Sequence, residues 1–176
     1  MAVDWTSALD RARAHAPFLA RALERRPVLA ELLAQGDGEA ALRAAKRVRE
    51  GSAASALRDE RLGLALVLAI GDLAGAFDLD KVMRELSTFA DRALDRALNT
   101  AMNSRVPDAE PSGMIGLALG KHGAGELNYS SDIDPILLYD PEKLPRRESD
   151  EPGEAAQRDA REVVRLLSDV TSEGYV

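Results

Sequence analysis

The chain contains no cysteine, which excludes a disulfide framework, a thiolate zinc site and a cysteine nucleophile, and is compatible with a reducing cytoplasm. Aromatic residues make up only 4% of the sequence against 45% hydrophobic residues, so the core must be built from Ala, Leu and Val. Positive charge is in deficit: the formal net charge is −7, and the whole-protein field offers no attraction to nucleic acid or to an anionic membrane. Long apolar runs are missing as well. The greasiest, residues 62–70, ends before Asp72, well short of the ~20 residues a membrane span needs. The N-terminus carries Asp4 and lacks the apolar stretch of a signal peptide. These absences predict a soluble protein, and 176 residues suit one ordinary domain or two small ones sharing a core.

What is present favours helices, because Ala, Leu, Arg and Glu lose little side-chain entropy in them. Up to about Arg105 nearly everything has helical spacing, punctuated by Pro17, Pro27, the Gly36-Asp37-Gly38 turn and Gly51. Pro17 and Pro27 suit the first turn of new helices, where a missing N–H costs nothing. Asp37 and Asp78 are expected N-caps. Residues 55–75 are apolar nearly all round, predicting a helix enclosed by others. Residues 79–104 are amphipathic: Val82, Leu86, Phe89, Ala93, Ala97 and Ala101 recur at three- and four-residue steps, with Arg84, Asp91, Arg92, Asp95 and Arg96 between them.

At residues 106–112 the composition changes to "VPDAEPS", a polar linker, and the periodicity changes after it. Residues 114–119 and 136–139 are short apolar runs bounded by Gly, Asp and Pro, which read as strands, the second of them buried. Asp140-Pro141 ends the second. From Glu154 helical spacing returns, with Val163, Val164, Leu167 and Val170 on one face and an expected C-terminus at Gly174. Two strands make no stable sheet alone: either helices cover them closely, or the rest of the sheet lies in sequence not present here. The expected class is α+β, mostly α: a helical region over residues 1–105, then the start of an α/β core over 106–176.

The chemistry concentrates in "GELNYSSDIDP", residues 125–135. Side chains of a strand alternate faces, so Asp132 and Asp134 are expected to point the same way while Ile133 points into the core. Two carboxylates on one side repel unless a cation sits between them, and a hard divalent ion such as Mg2+ suits them. The competing reading is an Asx turn with a serine turn before it. Two nucleotide motifs are excluded. "GLALGKH" has one residue too few between its glycines and no Ser or Thr after Lys121 for a P-loop, and no GxGxxG opens a helix.

A strand ending in Gly120, then ten residues between Lys121 and Asp132, then Asp-apolar-Asp opening a second strand resembles the nucleotidyltransferase superfamily of DNA polymerase beta type. The longer string "GLALGKHGAGELNYSSDIDPILLYD", residues 116–140, resembles the glutamine synthetase adenylyltransferase/deadenylase family. Gly120, Lys121, Gly123, Gly125, Glu126, Leu127, Asn128, Ser130, Ser131, Asp132, Ile133 and Asp134 carry the resemblance. His122, Ala124 and Pro135 stand where Leu, Gly and Leu are more usual. Pro135 removes a ladder donor, so it is expected at a sheet edge or a bulge. Asn128 is more like the N-terminal, deadenylating half of that family than the adenylylating half.

The resemblance implies a polymerase-beta-like core with Asp132 and Asp134 as catalytic metal ligands in a two-ion Mg2+ site. It implies contacts from Ser130, Ser131 and the backbone near Gly120 to the phosphates of ATP or ADP, with Lys121 adding positive charge there. It also implies AMP transfer to or from a tyrosine of glutamine synthetase, control by a PII-type nitrogen regulatory protein, and a cytoplasmic location. His122 is expected as a polar loop residue rather than a catalytic base. A third carboxylate would come from a later strand, so the chain is expected to be an N-terminal fragment, catalytically incomplete. A nucleotidyltransferase of other specificity, or a helical docking module with a vestigial strand pair, are the alternatives. Arg21, Arg25 and Arg26, and the group Arg43, Lys46, Arg47 and Arg49, read as solvated helix faces or a partner surface.

Overall fold

A computed structural model describes residues 3–47 and 51–168; Arg49, Val170 and Gly174 lie outside them. Among the described residues the chain forms eight helices and two strands, a mostly α arrangement of the α+β class. Four short helices come first: α1 (Trp5–His15), α2 (Pro17–Arg25), α3 (Pro27–Ala34) and α4 (Gly38–Ala45). Pro17 and Pro27 open α2 and α3 in the first turn, so the single residues Ala16 and Arg26 are the only joints between α1, α2 and α3. Asp37 caps α4 by accepting from the Ala40 N–H at 2.8 Å, satisfying a donor the helix cannot.

The long helix α5 (Ala53–Leu73) is the buried axis of the molecule. It touches α1, α2, α3, α4, α6 and α8, and Leu64, Leu66, Val67, Leu68 and Ile70 are at most 1% exposed. The all-round apolar pattern of the sequence thus reflects a helix with neighbours on every side. Gly71 is required by packing. A Cβ there would lie 2.1 Å from Cδ2 of Phe77, whose ring lies against α5.

Asp78 caps α6 (Leu79–Arg105) through the Lys81 N–H at 2.8 Å. Val82, Phe89, Ala93, Ala97 and Ala101 are buried, while Arg84, Asp91, Arg92 and Asp95 are exposed and Leu86 and Arg96 are half-buried. α6 joins two hydrophobic clusters: Phe89 and Ala93 belong to one with α1 to α5, and Leu94, Ala97, Leu98, Ala101 and Met102 belong to one with Met114, Leu144 and α8 (Pro152–Ser168).

After the polar linker, β1 (Met114–Leu117) and β2 (Ile136–Tyr139) pair antiparallel, Leu117 opposite Ile136 and Met114 opposite Tyr139. Met114 is buried toward α6, and Gly116 lies so close that a Cβ would sit 2.6 Å from Cδ2 of Leu94. The other face is open: Ile115, Leu117, Ile136 and Leu138 are 61%, 49%, 45% and 48% exposed. The expectation of a buried second strand is therefore corrected, because α6 covers one face and side chains alternate. Strand β2 ends at Asp140-Pro141 as expected. The Asp140 N–H donates to the Gly113 carbonyl at 2.7 Å, and its carboxylate accepts from the Glu142 N–H at 3.0 Å. That backbone bond, then Lys143, holds the Asp140 carboxyl below its ordinary range. Gly113 is forced as well: its φ is +71°, and a Cβ would meet the Leu144 nitrogen at 2.4 Å.

The connection to α8 is tied to α6 by Asp150, which accepts from Arg105 at 3.1 Å and from Arg158 at 2.7 Å. Burial alone would raise the Asp150 carboxyl; Arg105 first, then Arg158 and Arg147, outweigh it and hold it low. Asp159, 4% exposed in α8, is pushed up by burial. Among the described residues no helix is long and apolar enough to cross a membrane.

Candidate functional site

The 18 residues between β1 and β2 form a loop whose shape follows from glycines and two anchors on α6. Gly120, at φ +55°, and Gly125, at φ +73°, bracket a single helical turn, α7 (Gly120–Gly123). His122 points down from that turn and is buried, with Nε2 2.9 Å from Oδ1 of Asp91. It is a loop residue as expected, but a buried one: the exposed Asp91 carboxylate gives the imidazole a partner at the surface of α6. One helical turn earlier, Ser87 Oγ accepts from the Leu127 N–H at 3.2 Å. The two anchors are four residues apart, hence on one face of α6.

Beyond Leu127 the chain makes the local turn that Asn and Ser favour. Asn128 Oδ1 accepts from the Ser130 N–H at 3.1 Å and from the Ser131 hydroxyl at 3.0 Å, while Ser131 Oγ accepts from the Asn128 N–H. The one proton of the Ser131 hydroxyl is thus used inside the loop. The Tyr129 phenol is raised above its ordinary value, first by burial and then by the nearby charge of Asp72, close to the C-terminal end of α5.

Residues 131–135 follow as a segment outside the β-ladder, so Asp132 and Asp134 precede the second strand rather than open it. Exposure alternates along it: Ser131, Ile133 and Pro135 are half-buried, and Asp132 and Asp134 are exposed. Pro135 immediately precedes the first ladder pair, Ile136 with Leu117, so its missing N–H removes no sheet bond.

This segment forms one wall of a cleft of about 1470 Å³, which α2, α5, α6 and α8 complete. Ser131, Asp132 and Asp134 line it; Gly120, Lys121 and Ser130 are exposed elsewhere on the loop. The floor is apolar, with Leu64, Ala65, Phe89, Ala93, Val163 and Leu167. Among the described residues neither Asp132 nor Asp134 has an ion-pair partner, and no three acidic or histidine side chains gather into a metal-binding group. Two exposed carboxylates without counter-charge suit a hard divalent ion as partial ligands, leaving further positions to other donors.

Basic side chains line the cleft as well. Arg21, Arg25 and Arg26 line it from α2 and its joint with α3, and Arg26 is paired with Asp59 at 2.7 Å. Sequence reasoning had these residues only as a solvated face or partner surface; their i, i+4 spacing was visible, but not what they face. Of the second basic group, Lys46 lies away from the cleft and pairs with Glu85.

A family model described as glutamate–ammonia ligase adenylyltransferase matches residues 6–176. The chain is similar to curated proteins named bifunctional glutamine synthetase adenylyltransferase/adenylyl-removing enzyme. That of Caulobacter vibrioides is 42% identical over 131 residues, covering 68% of this chain and 13% of the relative. That of Xanthobacter autotrophicus is 38% identical over 181 residues, covering 96% of this chain and 18% of the relative. That of Rhizobium meliloti is 32% identical over 194 residues, covering 96% and 20%. The chain thus spans a fifth or less of the length of these relatives.

Proposed function

The chain belongs to the glutamate–ammonia ligase adenylyltransferase family, and from that premise we propose that it carries part of a nucleotidyl-transfer site, with Asp132 and Asp134 as metal ligands. The observation that carries this reading is that both carboxylates line the large cleft, exposed and without counter-charge. The relatives' names point to glutamine synthetase as the protein acted on. Asn128 favours the removing direction: phosphate oxygen bonds to the α-phosphorus of an AMP unit, the bond from that phosphorus to a tyrosine oxygen breaks, the tyrosine regains a proton, and ADP leaves. A PII-type regulatory partner and a cytoplasmic location belong to the same proposal.

Mg2+, when bound, would supply Lewis-acid charge for the phosphoryl oxygens. The chain's own contribution is positioning. Ser87 and Asp91 fix the loop to α6, the Asn128 turn sets the entry to the extended segment, and alternation turns both aspartates outward together. In-line phosphoryl transfer depends chiefly on such positioning and on electrostatics. Of the residues the resemblance assigns to the phosphates, Ser131 lines the cleft and would first exchange its bond to Asn128 for one to the ligand, whereas Ser130, Lys121 and Gly120 stand outside the lining.

Manganese serves as a spectroscopic stand-in for the test. With ADP present, the chain is expected to lower the free Mn2+ electron-resonance signal further than ADP alone does, and the D132N/D134N double variant by less; equal signals from both would sink the assignment. With two carboxylates in place and no third beside them among the described residues, removal of AMP from modified glutamine synthetase is expected at background rate. Fast metal-dependent ADP release by this chain would overturn that expectation.

A further inference from the structure

Helix α2 lies far from the loop in sequence, yet it turns one face to the same cleft. Phe18, Arg21, Ala22 and Arg25 line the cleft, while Leu19 and Leu23 are buried against the bundle. Arg21 and Arg25 are one helical turn apart and both exposed, so their side chains emerge side by side. The Nε of Arg21 donates to the Pro17 carbonyl at 3.2 Å. This steadies the stem and leaves the terminal amino groups of the guanidinium available. No carboxylate pairs with Arg21 or Arg25 among the described residues, whereas the adjacent Arg26 is neutralised by Asp59.

The lining of one cleft therefore holds two uncompensated cations and two uncompensated carboxylates. Neither pair neutralises the other, and the complementary occupant carries both signs: an anion with a bound divalent ion. Planar guanidinium forks match phosphate oxygens, and carboxylates match the ion. Resting on the reading of Asp132 and Asp134 given above, we propose that Arg21 and Arg25 recognise the phosphates of a metal-complexed nucleoside diphosphate, so that the helical bundle supplies the anion-binding half of the site.

Calorimetric titration of ADP, once with Mg2+ and once with EDTA, separates this inference from the reading beneath it. Both arginines are exposed, so R21Q/R25Q should melt at the temperature of the unsubstituted chain. It is expected to bind ADP at least about tenfold more weakly with or without metal, the loss typical of a charge-assisted bond. D132N/D134N should lose only the Mg2+-dependent increment, and R43Q, which removes an exposed arginine elsewhere, should bind normally. If R21Q/R25Q binds ADP as tightly as the unsubstituted chain while D132N/D134N still abolishes the metal effect, the arginine assignment is wrong and the aspartate reading stands. Weakening by R21Q/R25Q with no metal effect in any protein supports the arginines and removes the aspartates. Absence of ADP binding by the unsubstituted chain overturns both.

Discussion

Helix α5 and the β1–β2 pair draw on the same kinds of residue and use them differently. Leu64, Leu66, Val67, Leu68 and Ile70 disappear completely among six neighbouring helices, whereas Ile115, Leu117, Ile136 and Leu138 keep about half of their surface in water. The helical part is held by side-chain burial. The strand pair is held by its ladder, by the close approach of Gly116 to Leu94, and by the turn that Gly113 and Asp140 make. Apolar sequence alone therefore does not locate the core; the number of covered faces does.

That contrast can be broken at three places. Leu66→Ala is expected to cost the most, about 3 kcal/mol in urea unfolding, because it empties a site 0% exposed in a closed core. A loss under 1 kcal/mol would mean that α5 is less tightly enclosed than described. Gly113→Ala should cost less, about 2 kcal/mol, through an unfavourable positive φ and a clash with the backbone at Leu144. It would show that backbone geometry, rather than burial, holds the strands. Leu138→Thr should change stability in the same unfolding measurement by less than about 0.5 kcal/mol, since it replaces a side chain 48% exposed. A cost as large as that of Leu66→Ala would erase the distinction.

Much of the helical architecture was legible because its signals are local. Proline at a first turn, aspartate at an N-cap and apolar spacing of three and four residues all act within one or two turns, and Pro17, Pro27, Asp37 and Asp78 stand where those rules put them. The strand limits at Gly113 and Asp140 were legible for the same reason. Exposure of β2, burial of His122 and the sharing of one cleft by α2 and the aspartate segment were not. Each depends on contacts between residues far apart in sequence: 31 positions separate His122 from Asp91, and more than 100 separate Arg25 from Asp132. The extended form of residues 131–135 could be read from alternation, but its place outside the ladder could not, since register is set by the partner strand.

Helix α6 has 27 residues, about 40 Å of rigid rod, and belongs to both hydrophobic clusters. A rod clamped in two cores frays at its tips and opens in the middle only when both cores let go. Its central amides, near Ala93 and Leu94, should accordingly be among the last in the molecule to exchange with deuterated water. Ser87 and Asp91 ride next to that slowest stretch. The loop that presents the two aspartates is thus moored to backbone expected to open among the last in the chain.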